Sequence, residues 1–241
     1  MLLLHMAQAL AEEEQVGFTL REIWEHSGGL ARGVIVTLTG MLLITILVAV
    51  ERWLAYRSAT NQSRELAARI VPHLQKKDVT AALKLSRDDA YKASYLGALL
   101  RSALAELDLR QDHFGVVNAH RAVQKAMGQE VAKLRRGMPM LATVGSTAPF
   151  VGLFGTTFGV INAFQGMASA GSGLAAISAG ISEALITTGV GIGVAVVGVW
   201  LFNYFNNRID KVTEELTSSE ADIMDWAEKL IQEPPTAEVA K

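Results

Sequence analysis

The 241 residues carry 22 Lys and Arg against 24 Asp and Glu, a net charge of −2, and are 50% hydrophobic with only 19% charged side chains, at a mean hydropathy of +0.26. With no Cys in the chain, a disulfide scaffold, a Cys-ligated zinc site, an iron–sulfur cluster and a thiol nucleophile are excluded, and the near-neutral balance argues against nucleic acid as a partner. So much apolar residue with only 7% aromatics points to membrane spans or to one very large core, and the placement of charge decides between them.

Residues 1–32 hold 7 charged side chains, 33–50 none, 51–137 hold 25, 138–205 one, and 206–241 hold 13. The opening stretch MLLLHMAQALA lacks a basic n-region and its apolar run is broken by His5. It therefore reads as part of an N-terminal segment, residues 1–32, with a cleaved signal peptide as the competing reading. In that segment Val16, Leu20, Ile23 and Trp24 fall at i, i+4, i+7 and i+8, one face of a helix that Gly28-Gly29 would end. Such a helix either lies on the outer membrane surface or packs on neighbouring protein. Residues 33–50, GVIVTLTGMLLITILVAV, match one helical crossing of a hydrocarbon layer about 30 Å thick and form the first span.

Residues 51–137 read as a helical domain. Leu96, Leu99, Leu100, Ala103, Leu104 and Leu107 make a stripe of period 3.6, and Pro72 and a cap signal at Asp78 mark helix boundaries. Residues 113–137 run without Pro into Met138-Pro139, which predicts a helix continuing straight into the second span. The stretch 138–205 carries a single charge, Glu183. It accommodates a second span at 138–167, a short hairpin at 168–178 and a third span at 179–205. In the C-terminal helix and tail, residues 206–241, the stripe Ile209, Val212, Leu216, Ile223, Ala227 and Leu230 persists until Pro234-Pro235. It could line a helical funnel under the membrane or pack against the other helices of the domain.

Lys plus Arg number 2 before the first span, 16 between the first and second, none in the hairpin and 4 after the third. The positive-inside bias puts 51–137 and 206–241 in the cytoplasm, with 1–32 and 168–178 outside. The fold class is thus an all-α integral membrane protein with three transmembrane helices, N-out and C-in, whose long helices extend into a cytoplasmic helical domain.

No enzyme site stands out. Histidines 5, 26, 73, 113 and 120 lie outside the spans, and His113/His120 have no carboxylate pattern typical of a metal motif. The run from Gly152 to Gly159 superficially resembles a phosphate loop, but no Lys follows its last Gly and it lies at bilayer depth. Gly152, Gly155 and Gly159, with Gly189, Gly191, Gly193 and Gly198, read instead as helix-packing positions where backbones approach closely in lipid, and Pro149 is grouped with them. Glu183 carries the functional reading, because a carboxyl in a span costs about 2.5–3.5 kcal/mol at the bilayer centre and normally faces a bundle interior or a watered path. Thr187 and Thr188 lie one turn on, and the hairpin can bring Thr156 and Thr157 opposite. Hydroxyls donate and accept, so they can hold water or a protonated carboxyl in a dry place. A Thr bonded to its own helix carbonyl is the structural alternative.

Two stretches, LATVGSTAPFVGLFGTTFGVINAFQG at 141–166 and ISEALITTGVG at 181–191, resemble the MotA/TolQ/ExbB proton-channel family, and ExbB and TolQ most of all. The resemblance implies a bacterial inner-membrane location and a homo-oligomeric, pentameric ring around a pair of single-span ExbD/TolR/MotB-like partners. Protons passing the ring would drive relative rotation, delivered to a TonB/TolA-like or motility partner in the periplasm. It makes Thr156, Glu183 and Thr188 the ion-path residues, with Thr187 beside them, H⁺ the coupling ion with no other cofactor, and an Asp of the partner the proton carrier. The family usually has Trp where Phe158 stands, Pro near Ala179, and Ile-Pro where Val196-Val197 stand. Losing that Pro removes an expected kink from the third span, and with it a specialised motor, gliding included, joins TonB-dependent uptake and Tol–Pal as the process energised. The alternative to a motor is a membrane scaffold whose polar residues only organise packing.

Overall fold

The structure, a computed structural model, describes residues 29–170 and 174–232. The amphipathic N-terminal helix, the centre of the hairpin and the tail from residue 233 lie outside the described residues. The described elements are α1 (Gly29–Gln75), α2 (Val79–Ser86), a 3-10 turn (Asp89–Tyr91), α3 (Tyr95–Leu109), α4 (His113–Leu134), α5 (Met138–Ala170) and α6 (Leu174–Gln232). Three helical stretches are long and apolar enough to cross a membrane, within 29–75, 113–168 and 180–232. Helices are what lipid permits an uncharged single segment, because every backbone N–H must find its carbonyl inside the segment.

The helices extend beyond the uncharged stretches. The first span does not end as an element near residue 50, since α1 continues to Gln75 through Pro72. Pro72 sits in the last turn of that helix instead of closing it. The turn then closes with Lys77 at φ 54° and the Asp78 N–H donating to the His73 carbonyl at 3.1 Å, while the Asp78 carboxyl caps α2 by accepting from the Ala81 N–H at 2.9 Å. Among the described residues the ends of the hairpin are helical, in α5 up to Ala170 and in α6 from Leu174. The third span runs on without interruption into the C-terminal helix, and no proline lies between Leu174 and Gln232.

The uninterrupted passage from α4 into the second span is corrected. Residues 135–137 break the helix, with Gly137 at φ +80°. Pro139 has no N–H to give the Arg135 carbonyl, so the helix cannot continue its hydrogen bonding through the break. The Met138 N–H takes the Arg135 carbonyl instead, at 3.1 Å.

The chain divides into two compact units, one within Met1–Leu42 and Gly145–Val196, the other within Leu43–Val144 and Val197–Lys241. In the second unit the α3 stripe is the core, with Leu99, Ala103, Leu104 and Leu107 fully buried beside Leu66 and Val123. The C-terminal stripe Ile209, Val212, Leu216, Ile223, Ala227 and Leu230 is buried there too. It packs on the chain's own helices and is not left to line a funnel. Polar ties cross the same core. The Tyr95 hydroxyl donates to Glu215 at 2.6 Å, and burial followed by this bond pushes its phenol up to about 12. The Trp226 indole donates to the Leu74 carbonyl at 2.9 Å, near the end of α1.

Two α1 side chains hold the α4–α5 break. Arg52 donates to the Lys133 carbonyl at 3.2 Å and the Tyr56 hydroxyl to the Leu134 carbonyl at 2.5 Å. These are among the carbonyls that a helix C-terminus leaves without intrahelical donors. Tyr56→Phe strands the buried Leu134 oxygen and is expected to cost about 1–3 kcal/mol, read as a lower thermal unfolding midpoint of the purified protein. An unchanged midpoint would mean that the carbonyl is satisfied elsewhere.

Candidate functional site

In the first unit α5 and α6 meet along small residues. Ala148, Gly152, Gly155, Gly159 and Ala163 on α5 face Gly191, Thr188, Thr187, Ala184 and Gly180 on α6. The glycines are required by the distance between backbones. A Cβ on Gly152 would lie 2.8 Å from the Thr187 carbonyl oxygen and 3.0 Å from the Thr188 Cα, and one on Gly191 would lie 2.7 Å from the Ala148 carbonyl oxygen. Both ends of the seam repeat the pattern, with Gly159 against the Ala184 Cβ at 2.8 Å and Gly180 against the Ala163 Cβ at 2.6 Å. On the α1 side, Ala31, Val34 and Leu38 are buried, and the Val34 Cγ1 comes within 3.1 Å of a Cβ placed on Gly155.

At the middle of the seam three hydroxyls gather on one carbonyl. The oxygen of Gly152 lies 3.2 Å from Thr156 Oγ1, 3.4 Å from Thr187 Oγ1 and 3.3 Å from Thr188 Oγ1. The Thr156 and Thr188 hydroxyls are hydrogen-bonded to each other across the two helices. Thr187 is fully buried and donates to its own helix at the Ala184 carbonyl, 2.7 Å away, while Thr156 also reaches that oxygen at 3.4 Å. Thr156 and Thr188 are half-buried. The cluster therefore has a sealed side at Thr187 and an accessible side at the Thr156–Thr188 pair.

The structure brings Thr156, Thr187 and Thr188 together with Gly152, Gly155, Gly159 and Gly191. Glu183 is half-buried one turn before Thr187 on α6. Thr157 is exposed and donates to its own Leu153 carbonyl at 3.0 Å, the purely local role. A Cβ on Gly189 or Gly193 would meet nothing within 4 Å, so neither packs against another helix of this chain. Pro149 lies inside α5, half-buried, where it withholds one helix hydrogen bond from the Gly145 carbonyl. Reading the sequence missed Gly180 and the alanines 148, 163 and 184, although their three- and four-residue spacing from the other seam positions would have found them. Among the described residues no group of three or more His, Asp or Glu is placed to hold a metal ion.

The profile of the MotA/TolQ/ExbB proton channel family matches residues 92–218, more than half the chain and all of the hydroxyl cluster. The chain belongs to the MotA/TolQ/ExbB family. It is 46% identical over 89 residues to the Tol-Pal system protein TolQ of Pseudomonas aeruginosa, covering 36% of this chain and 38% of that protein. To the biopolymer transport protein ExbB of Xanthomonas campestris it is 39% identical over 107 residues, 44% of this chain and 42% of the relative. To ExbB of Pseudomonas putida it is 33% identical over 151 residues, 60% and 46% of the two chains. The chain thus spans less than half the length of these relatives. As a MotA/TolQ/ExbB protein with three span-forming helices it is a multi-pass membrane protein. The Phe158 ring packs on Phe154 with centroids 4.6 Å apart.

Gly152→Ala drives a methyl into the Thr187 carbonyl and is expected to destabilise by about 1–3 kcal/mol. Gly193→Ala meets open space and gains up to about 1 kcal/mol of helix propensity. Thermal unfolding of the two variants in detergent reads the difference; equal losses would contradict the seam.

Proposed function

We propose that this chain is the ring-forming, proton-path subunit of a bacterial inner-membrane motor that turns proton-motive force into mechanical work. The observation that carries the reading is the Thr156–Thr188 pair over the Gly152 carbonyl, a polar network in a stretch whose one charge, Glu183, lies a turn away. Hydroxyls there can solvate a proton-bearing carboxyl without introducing a second charge. The chain's spans supply no Asp, so the proton carrier comes from a single-span ExbD/TolR-like partner, two copies of which sit in a pentamer of this subunit. The charge asymmetry of the loops supports an N-out, C-in arrangement. One charge crossing 100 mV releases about 2.3 kcal/mol, so a few protons suffice for a mechanical step. The work is delivered to TonB-dependent uptake, Tol–Pal or a gliding machine, and the chain acts as a transducer, not as an enzyme.

The test separates conduction from assembly. Thr156→Val with Thr188→Val keeps side-chain shape and removes both hydroxyls, and Glu183→Gln removes the charge. With two hydrogen bonds at about 1 kcal/mol each lost from the path, proton flux into proteoliposomes containing ring and partner is expected to fall roughly tenfold or more. Native mass spectrometry should show the same five-copy ring with its partner chains. Wild-type flux in both variants would remove the ion-path reading, and a collapsed ring would favour the scaffold, in which the hydroxyls serve packing alone.

A further inference from the structure

A second polar recess lies outside the hydroxyl cluster, in the unit formed by Leu43–Val144 and Val197–Lys241. It encloses about 160 Å³ between α1 and α6, and its walls include Trp53, Arg57, Asn61 and Arg64 from α1 and Tyr204 and Arg208 from α6. Three guanidiniums line it and no carboxylate does. None of the three has an ion-pair partner among the described residues, whereas Arg52, Arg69 and Arg110 each pair with an acid. Arg57 is held over the Trp53 ring, 5.4 Å from its centroid, which fixes its planar donor fork and leaves the N–H edge open.

The depth of the recess identifies its ligand. The uncharged run of the first span ends at residue 50, so Trp53 and Arg57 follow it by about 4 and 10 Å of helix rise. The headgroup layer is about 5–8 Å deep on each face of the bilayer. Trp53 and Tyr204, 47% and 55% exposed, are the residue types that settle at that level. Arg208 directly follows the uncharged run 184–207, the Arg57 side chain leans back along α1 toward the headgroup layer, and Arg64, about 21 Å of rise past residue 50, lies beyond that layer. A fork of unpaired guanidiniums beside interfacial aromatics suits a phosphodiester whose acyl chains continue up the apolar helices.

We propose that Arg57 and Arg208 form a binding site for the phosphate of an anionic phospholipid. Binding needs only that α1 and α6 cross the bilayer; the assignment to the cytoplasmic leaflet rests on the proposed N-out, C-in topology. Lipid retention is also read independently of proton flux, so the site and the motor can fail separately.

The test is native mass spectrometry of the full-length protein from detergent micelles doped with phosphatidylglycerol or phosphatidylcholine. Preferential retention of phosphatidylglycerol is expected. Arg57→Gln with Arg208→Gln should weaken it roughly thirtyfold, at about fivefold per interfacial arginine, and Arg57→Lys with Arg208→Lys should keep most of it. Equal retention of the two lipids, or undiminished phosphatidylglycerol on the glutamine variant, would overturn the site. Displacement of the lipid by millimolar inorganic phosphate, with the same arginine dependence, would overturn the lipid assignment in favour of a soluble phosphate.

Discussion

The close approach of α5 and α6 at Gly152 governs the membrane-embedded unit. Lipid tails are as apolar as the helix surfaces, so no hydrophobic force drives these helices together, and association depends on packing and hydrogen bonds. The seam supplies both from the same residues. With no Cβ on Gly152, the α6 backbone comes within contact of the α5 backbone, and the Gly152 carbonyl comes within reach of the hydroxyls of Thr187 and Thr188. A larger residue would separate the helices and open the network at once. Packing and the hydroxyl network therefore cannot be varied independently at this position, whereas Gly193 faces open space and touches neither.

The second unit obeys different rules. Its core is an ordinary aliphatic one built around Leu99, Leu104, Leu107 and Leu216, driven by burial of apolar area. Specificity within it comes from a few polar ties to helix ends. Tyr56 and Trp226 each give their single donor to a carbonyl near a helix C-terminus, and Asp112 starts α4 by accepting from the Gly115 N–H at 2.8 Å. Gly115 is required there, since a Cβ would run into the Arg110 carbonyl. That backbone bond, with the Arg110 guanidinium beside it, holds the Asp112 carboxyl below the usual carboxylate range.

Charge segmentation made the spans legible, because a run of 18 uncharged residues has few soluble uses, and period-3.6 stripes made α3 and the end of α6 legible. The helix break before Met138 has its signal in Pro139, which has no N–H for the Arg135 carbonyl, so the preceding helix ends at Leu134 and the break lies at 135–137. Among the glycines, composition was misleading and angle was informative. Positions 189 and 193 each lie two residues from Gly191, about 200° away around the helix, so they face away from the seam that Gly180, Ala184, Thr187 and Gly191 follow. Arg52 and Tyr56 had no local signature at all, because their carbonyl partners stand 81 and 78 residues away in sequence. Nor could the sequence disclose the Gly152 carbonyl, a backbone group with no residue code of its own.

The hydrogen-bond capacity of that carbonyl determines how the cluster can behave. Its oxygen has two lone pairs, and the i→i−4 bond of α5 occupies one of them. One lone pair remains for three hydroxyls. Thr187 is served by the Ala184 carbonyl at 2.7 Å, so Thr156 and Thr188 compete for what is left while bonding to each other. Two arrangements satisfy both while keeping the pair bonded to each other: Thr156 donates to Thr188, which donates to Gly152, or Thr188 donates to Thr156, which donates to Gly152. They differ only by rotation of two hydroxyl protons and leave no buried donor unpaired in either. The pair is therefore neutral, internally satisfied and reversible in polarity. Whichever hydroxyl a carboxyl group approaches, the other can keep the Gly152 carbonyl occupied, and that hydroxyl is left as acceptor toward the acid form or as donor toward the carboxylate.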